Sequence, residues 1–216
     1  MSHICFRPWI GKNYLTEGYK GKRVLVLGES HYCPQELSQN GRCYPICKKE
    51  LMNEVCFSQT EVAISEFITD YVGRGDQQTY LCFERAMTGK ILTLVEREEF
   101  WNSIMFYNYI QFCQSGPRKP LPSEYWADSE KAFQEILEKY APDYIVVWGS
   151  RLYKGMPEWN CKYSILKLSE DDWTEVRVYH INNKLIPAMR VYHPSTQIGK
   201  SWSYWHQFYE LFFSKY

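Results

Sequence analysis

The sequence has no excess of charge of either sign: 25 Lys and Arg stand against 25 Asp and Glu in 216 residues. Proteins that coat nucleic acid without regard to sequence take most of their affinity from phosphate neutralisation, so this balance argues against tight, extended binding of that kind. A local patch such as Arg118-Lys119 or Lys200 can still hold a phosphate. No apolar run approaches the ~18 residues of a membrane span, and Met1 to Leu15 lacks the unbroken apolar stretch of a signal segment. The expectation is a cytoplasmic protein with no membrane partner. Internal repeats and low-complexity tracts are also missing, and the length suits a single domain over residues 1–216, acting as a monomer.

Paired C-x-x-C motifs are missing as well. Four of the eight cysteines crowd into one segment, Cys33, Cys43, Cys47 and Cys56. Four thiolates could hold zinc or an iron–sulfur cluster, but without close pairing the expectation is free thiols and no cofactor. In a chain of this length they do not suggest a secreted disulfide scaffold.

Aromatic residues are plentiful, at 17%, with 18 Tyr and 8 Trp. Most serve as bulky core side chains, and some offer flat surfaces on which a base or sugar can stack.

The chain alternates strand-like and helix-like segments. Arg23 to Leu27 is an apolar run that passes straight into Gly28-Glu29-Ser30-His31-Tyr32. Ser103 to Tyr107 ends in Asn108-Tyr109, Tyr144 to Trp148 ends in Gly149-Ser150, and Arg190 to Tyr192 ends in His193-Pro194-Ser195-Thr196. Continuous apolar runs of this length mark strands buried on both faces. Helical spacing predicts helices over 59–72, 79–99 with an interruption at Gly89, a stretch capped by Ser123 or Asp128 and running to Tyr140, and 202–213. The segment 154–186 adds at most a short strand or extended edge. Together these predict an α/β fold, a three-layer α/β/α sandwich around a central, mostly parallel four-stranded sheet. In such sheets ligands bind outside the carboxyl ends of the strands, where tips about 160 residues apart in sequence can converge.

The ordered set of tips, Gly-x-x-x-Tyr, then Asn, then Gly, then His-Pro-Ser, resembles the uracil-DNA glycosylase superfamily over residues 22 to 213. The resemblance implies hydrolysis of the N-glycosidic bond of uracil or a related damaged base in DNA. It implies that the Gly28 to Tyr32 loop positions the hydrolytic water, with Tyr32 against C5 of the base. Asn108 would read the N3 and O4 edge, and His193 would hydrogen-bond O2 as charge builds there. Phe57 would stack on the extruded base, Pro194 and Ser195 would complete the last tip, and Ile198 would enter the duplex. The 33–56 insertion would lie near the site. Ser30 stands where the best-known members carry Asp or Asn, and His31 where they carry Pro, although some relatives have Ala after Gly-Glu. A serine hydroxyl is not a base by itself, so Glu29 or His31 would take that role, or water would meet the sugar cation with little help.

Two other functions use the same residues. Gly28-Glu29-Ser30 with Asn108 and a late histidine is similar to serine acyl hydrolases of the Gly-Asp-Ser type, with Ser30 as nucleophile and His193 as base. Those enzymes place an acid shortly before the histidine, where this chain has Ala188-Met189-Arg190. A catalytically inactive module that binds a nucleobase or nucleic acid on the same fold is the third reading.

Overall fold

In the computed structural model the described residues are 2–32, 52–70, 75, 77–114, 116, 119–196 and 201–216. They contain seven strands and seven helices. The strands are β1 (Trp9–Ile10), β2 (Val24–Gly28), β3 (Met105–Asn108), β4 (Tyr144–Trp148), β5 (Cys161–Lys167), β6 (Trp173–Ile181) and β7 (Lys184–Val191). The helices are α1 (Glu54–Phe57), α2 (Gln59–Thr69), α3 (Gln78–Thr88), α4 (Leu94–Ser103), α5 (Ser123–Tyr140), α6 (Ser150–Gly155) and α7 (Trp202–Lys215).

The strands form one sheet in the order β1-β3-β2-β4-β7-β6-β5. The centre, β3-β2-β4-β7, is parallel throughout. Every residue of β2, β3 and β4 is buried, as their apolar runs require. Successive side chains point to opposite faces, so Val24 and Val26 of β2 join one core while Leu25 and Leu27 join the other. The first core packs against α2, α3, α4 and α7, through Phe67, Phe83, Trp101 and Phe208 among others. The second packs against α5 and α6, through Phe133, Ile136, Leu137 and Leu152. Helices thus cover both faces.

The sheet departs from expectation in size and direction. It has seven strands rather than four and is not mostly parallel, because β1 joins β3, and β5, β6 and β7 join one another, in antiparallel pairs. The arm of β5 and β6 hid its signal because most of β5 is half or fully exposed and therefore lacks an apolar run. The hairpin between β6 and β7 turns on Asn182 and Asn183, both at positive φ (47° and 63°), a backbone region that Asn tolerates. The expected long helix over 79–99 is two helices. Gly89 ends α3 in the left-handed conformation, φ 73°. Thr93 then starts α4 with a capping box, its side chain accepting from the Glu96 backbone while the Glu96 carboxylate accepts from the Thr93 backbone. Helix α5 begins at Ser123 after Pro122 and has no side-chain cap, so neither Ser123 nor Asp128 caps it.

Among the described residues no helix is long and apolar enough to cross a membrane.

Candidate functional site

Parallel pairing of β2 with β3 sets Gly28 opposite Asn108. Beyond these residues the two loops stay zipped together. The amides of Tyr109, Ile110 and Gln114 donate to the carbonyls of Gly28, Glu29 and His31 at 2.9, 2.8 and 2.8 Å. Gln111, fully buried, braces the same edge. Its Nε2 donates to the Asn108 carbonyl at 2.9 Å, and its Oε1 accepts from the amides of Cys5 and Phe6 at 2.7 and 3.0 Å. Across the sheet, the Gly149 amide donates to the Val191 carbonyl at 2.8 Å and brings the end of β4 beside His193.

Between these tips lies a cavity of about 550 Å³. Gly28 to Tyr32 and Asn108 line one side, and His193 and Ser195 line another. Ala63, Glu66, Gln77 and Thr79 close it from α2 and α3. Tyr80, Phe106 and Trp148 also line it and form an aromatic cluster, with ring centroids 5.0 Å apart for Phe106 and Trp148 and 5.9 Å for Tyr80 and Phe106. A neighbouring cavity of about 430 Å³ shares Glu29, Tyr32, Trp148, His193 and Ser195, and adds Ser150, Arg151 and Thr196. The indole Nε1 of Trp148 is buried with no hydrogen-bond partner.

Not every residue expected at the site comes to it. Phe57 lies outside the linings of both cavities, at the end of α1, where its carbonyl accepts from the Arg7 amide at 2.8 Å. Pro194 lines a small apolar cavity behind the site, with Trp202 and Trp205. Ile198, Arg118, Lys200, Cys33, Cys43 and Cys47 lie outside the described residues. Cys56 is described and half-buried, with its Sγ 3.8 Å from Asn53 Oδ1. Among the described residues no group of three or more His, Cys, Asp or Glu is arranged to hold a metal.

The polar groups of the first loop are engaged in specific ways. The Glu29 carboxylate, 16% exposed, takes both arms of the Arg151 guanidinium, with the Nε arm at 2.8 Å. Glu29 in turn raises the pKa of Arg151 through that hydrogen bond. His31 Nε2 lies 2.8 Å from Thr60 Oγ1 and 3.1 Å from Asn108 Nδ2. The residue is half-buried, and desolvation pushes the imidazole pKa down to about 4, so it is neutral near pH 7. The Ser30 hydroxyl is buried with no hydrogen-bond partner. Tyr32 is 47% exposed.

On the opposite wall, His193 Nδ1 lies 2.8 Å from Ser195 Oγ and accepts from the Ser195 amide at 3.4 Å. A backbone amide can only donate, so the ring proton belongs on Nε2. The Ser30–His193 relay of an acyl hydrolase is not formed, since Nδ1 is turned to Ser195 and Ser30 Oγ bonds to nothing.

This arrangement suits a flat, polar ring. It offers aromatic surface, one carboxamide that both donates and accepts, and an imidazole that donates. Sequence reasoning missed Tyr80, Phe106, Trp148, Thr60 and Arg151. For Trp148 a signal existed, because it is the last residue of a buried strand and immediately precedes Gly149. Tyr80 and Thr60 sit on helices whose register against the sheet no local pattern reveals. No protein-family model and no curated protein matches the chain.

Proposed function

We propose that the protein hydrolyses the N-glycosidic bond of uracil or a related damaged base in DNA, on a three-layer fold of the uracil-DNA glycosylase kind. The observation that carries this reading is that Asn108 and His193 line one cavity beside the 28–32 turn and an aromatic cluster. The base leaves the stack and enters this cavity. Its N3 hydrogen meets the Asn108 carboxamide oxygen and its O4 meets a carboxamide hydrogen. As the bond from C1′ to N1 breaks, the electron pair goes to the base, and the Nε2 hydrogen of His193 stabilises the charge gathering on O2. Water adds to C1′, and the proton it loses passes through solvent to the departing base anion, leaving an abasic sugar and the free base.

With Glu29 held by Arg151 and the Nε2 lone pair of His31 already facing two polar partners, the first loop supplies no strong base. The Ser30 hydroxyl is itself buried, so water captures the sugar cation with little help from this loop. The same engagement favours a second reading, a module that binds the base without cleaving it.

Incubation with single- or double-stranded DNA containing uracil separates the two. Hydrolysis leaves abasic sites that break in alkali. No breakage above a mock preparation on either substrate, together with a tryptophan fluorescence change on adding uracil, would establish the binding module.

A further inference from the structure

An asparagine reads the edge of a base only if its oxygen and nitrogen cannot exchange places. Turned by 180°, a carboxamide swaps donor for acceptor and suits the edge of cytosine as well as the unturned group suits uracil. Here both ends are constrained. Asn108 Nδ2 lies 3.1 Å from His31 Nε2. An amide nitrogen only donates, so that ring nitrogen is unprotonated and the imidazole proton sits on Nδ1. The Thr60 hydroxyl, 2.8 Å away, donates to the same lone pair. Thr60 is 1% exposed. The Phe6 ring lies against the imidazole at 4.6 Å between centroids and 56° between planes, which hinders it from turning away. At the other end of the carboxamide, Oδ1 rests over Gly28, where any Cβ would overlap it and come within 2.8 Å of Phe106 Cζ.

We infer that His31, held by Thr60, is a positioning residue that fixes which way the Asn108 carboxamide faces, so that the cleft prefers the O4 and N3–H edge of uracil to the reversed edge of cytosine. The inference rests on the proposed role of Asn108 in reading the base. One amide hydrogen goes to His31. The second hydrogen and Oδ1 remain side by side for the ligand. A proton on Nε2 would repel the amide nitrogen and favour the turned carboxamide, which presents the opposite order of donor and acceptor.

The test has two arms, both on the full chain. In long-range proton–nitrogen spectra of 15N-labelled protein near neutral pH, His31 Nε2 should resonate as an unprotonated ring nitrogen. It should also show a scalar coupling through the hydrogen bond to Asn108 Nδ2. A protonated Nε2 overturns the inference without reference to any ligand. In the second arm, binding of free uracil and free cytosine is followed through the Asn108 side-chain resonances, and for Asn108→Ala by tryptophan fluorescence. The wild type should prefer uracil by roughly tenfold or more. His31→Phe keeps a ring against Phe6 and should lose most of that preference, Thr60→Val should lose part of it, and Asn108→Ala should lose both ligands. A preference unchanged in the two positioning variants overturns the inference, and Thr60→Val decides alone where His31→Phe does not fold. If neither base binds the wild type, the base-reading role of Asn108 falls, while the nitrogen spectrum still reports whether His31 sets the carboxamide.

Discussion

The two walls of the cleft are built on different plans. Asn108 stands on an edge that is fixed several times over, by parallel pairing with Gly28, by three further backbone bonds between the loops, and by Gln111 beneath it. The His193 wall is a tight local turn, in which the Thr196 amide donates to the His193 carbonyl at 2.8 Å and Ser195 holds the imidazole. A group that must tell one ring edge from another gains from a geometry that cannot drift. A group that follows charge onto a departing oxygen tolerates some adjustment. Under the proposed function, the multiply braced Asn108 wall would discriminate between ring edges and the His193 turn would stabilise the departing base.

This contrast can be broken at its strongest point. Asn108→Ala should lower abasic-site formation by about a thousandfold or more, and His193→Ala by about a hundredfold, with both proteins folded by circular dichroism. A larger loss at His193 would reverse the assignment. Gly28→Ala probes the rigid wall from beneath. Its methyl group would overlap Asn108 Oδ1, so a cost of about 1–3 kcal/mol in chemical denaturation is expected, with a loss of base binding larger than that of any exposed substitution.

Acid sharpens the comparison further, because the Asn108 wall carries a histidine with a depressed pKa. The folded His31 ring has a pKa of about 4, below its ordinary 6.5. As pH falls from about 6.5 to about 4 the unfolded chain binds a proton that the folded chain refuses, so folding weakens across that window and the loss levels off below it. The shift corresponds to at most about 3 kcal/mol. Denaturation at about pH 7 and about pH 5 should show the decline in the wild type and a smaller one in His31→Phe. The lowered carboxylates, Glu54 paired with Arg7 and Glu96 paired with Lys90 among them, lose their contribution only at more acidic pH. The smallest effect is expected at Ser195→Ala, a few-fold change in rate, because the backbone amide of residue 195 still faces Nδ1.

How much of this could be read from the chain follows from how local each signal is. The tips at Gly28, Asn108 and His193 were legible because each closes an apolar stretch, and two of those strands are buried along their whole length. The break between α3 and α4 was also written locally, in Gly89 and in the Thr93-x-x-Glu96 capping box, although helical periodicity alone ran across it. The contacts that define the site's chemistry are not local. His31 meets Asn108 across 77 residues, and Arg151 meets Glu29 across 122. The resemblance points to Phe57 as the stacking residue, yet the aromatic residues that line the cavity come from α3, β3 and β4. The strands β5 and β6 are legible only as a short strand or extended edge within 154–186, because a half-exposed antiparallel arm leaves no unbroken apolar run.

Gln111 reaches in two directions, toward the amides of residues 5 and 6 and toward the carbonyl of Asn108. Residues 5 and 6 are therefore coupled mechanically to the Asn108 wall, which the proposed function makes the one that reads the ligand. Trimming them, or tethering a bulky fusion partner to them, would slacken that wall from a distance, so an affinity handle belongs at the opposite terminus, beyond α7.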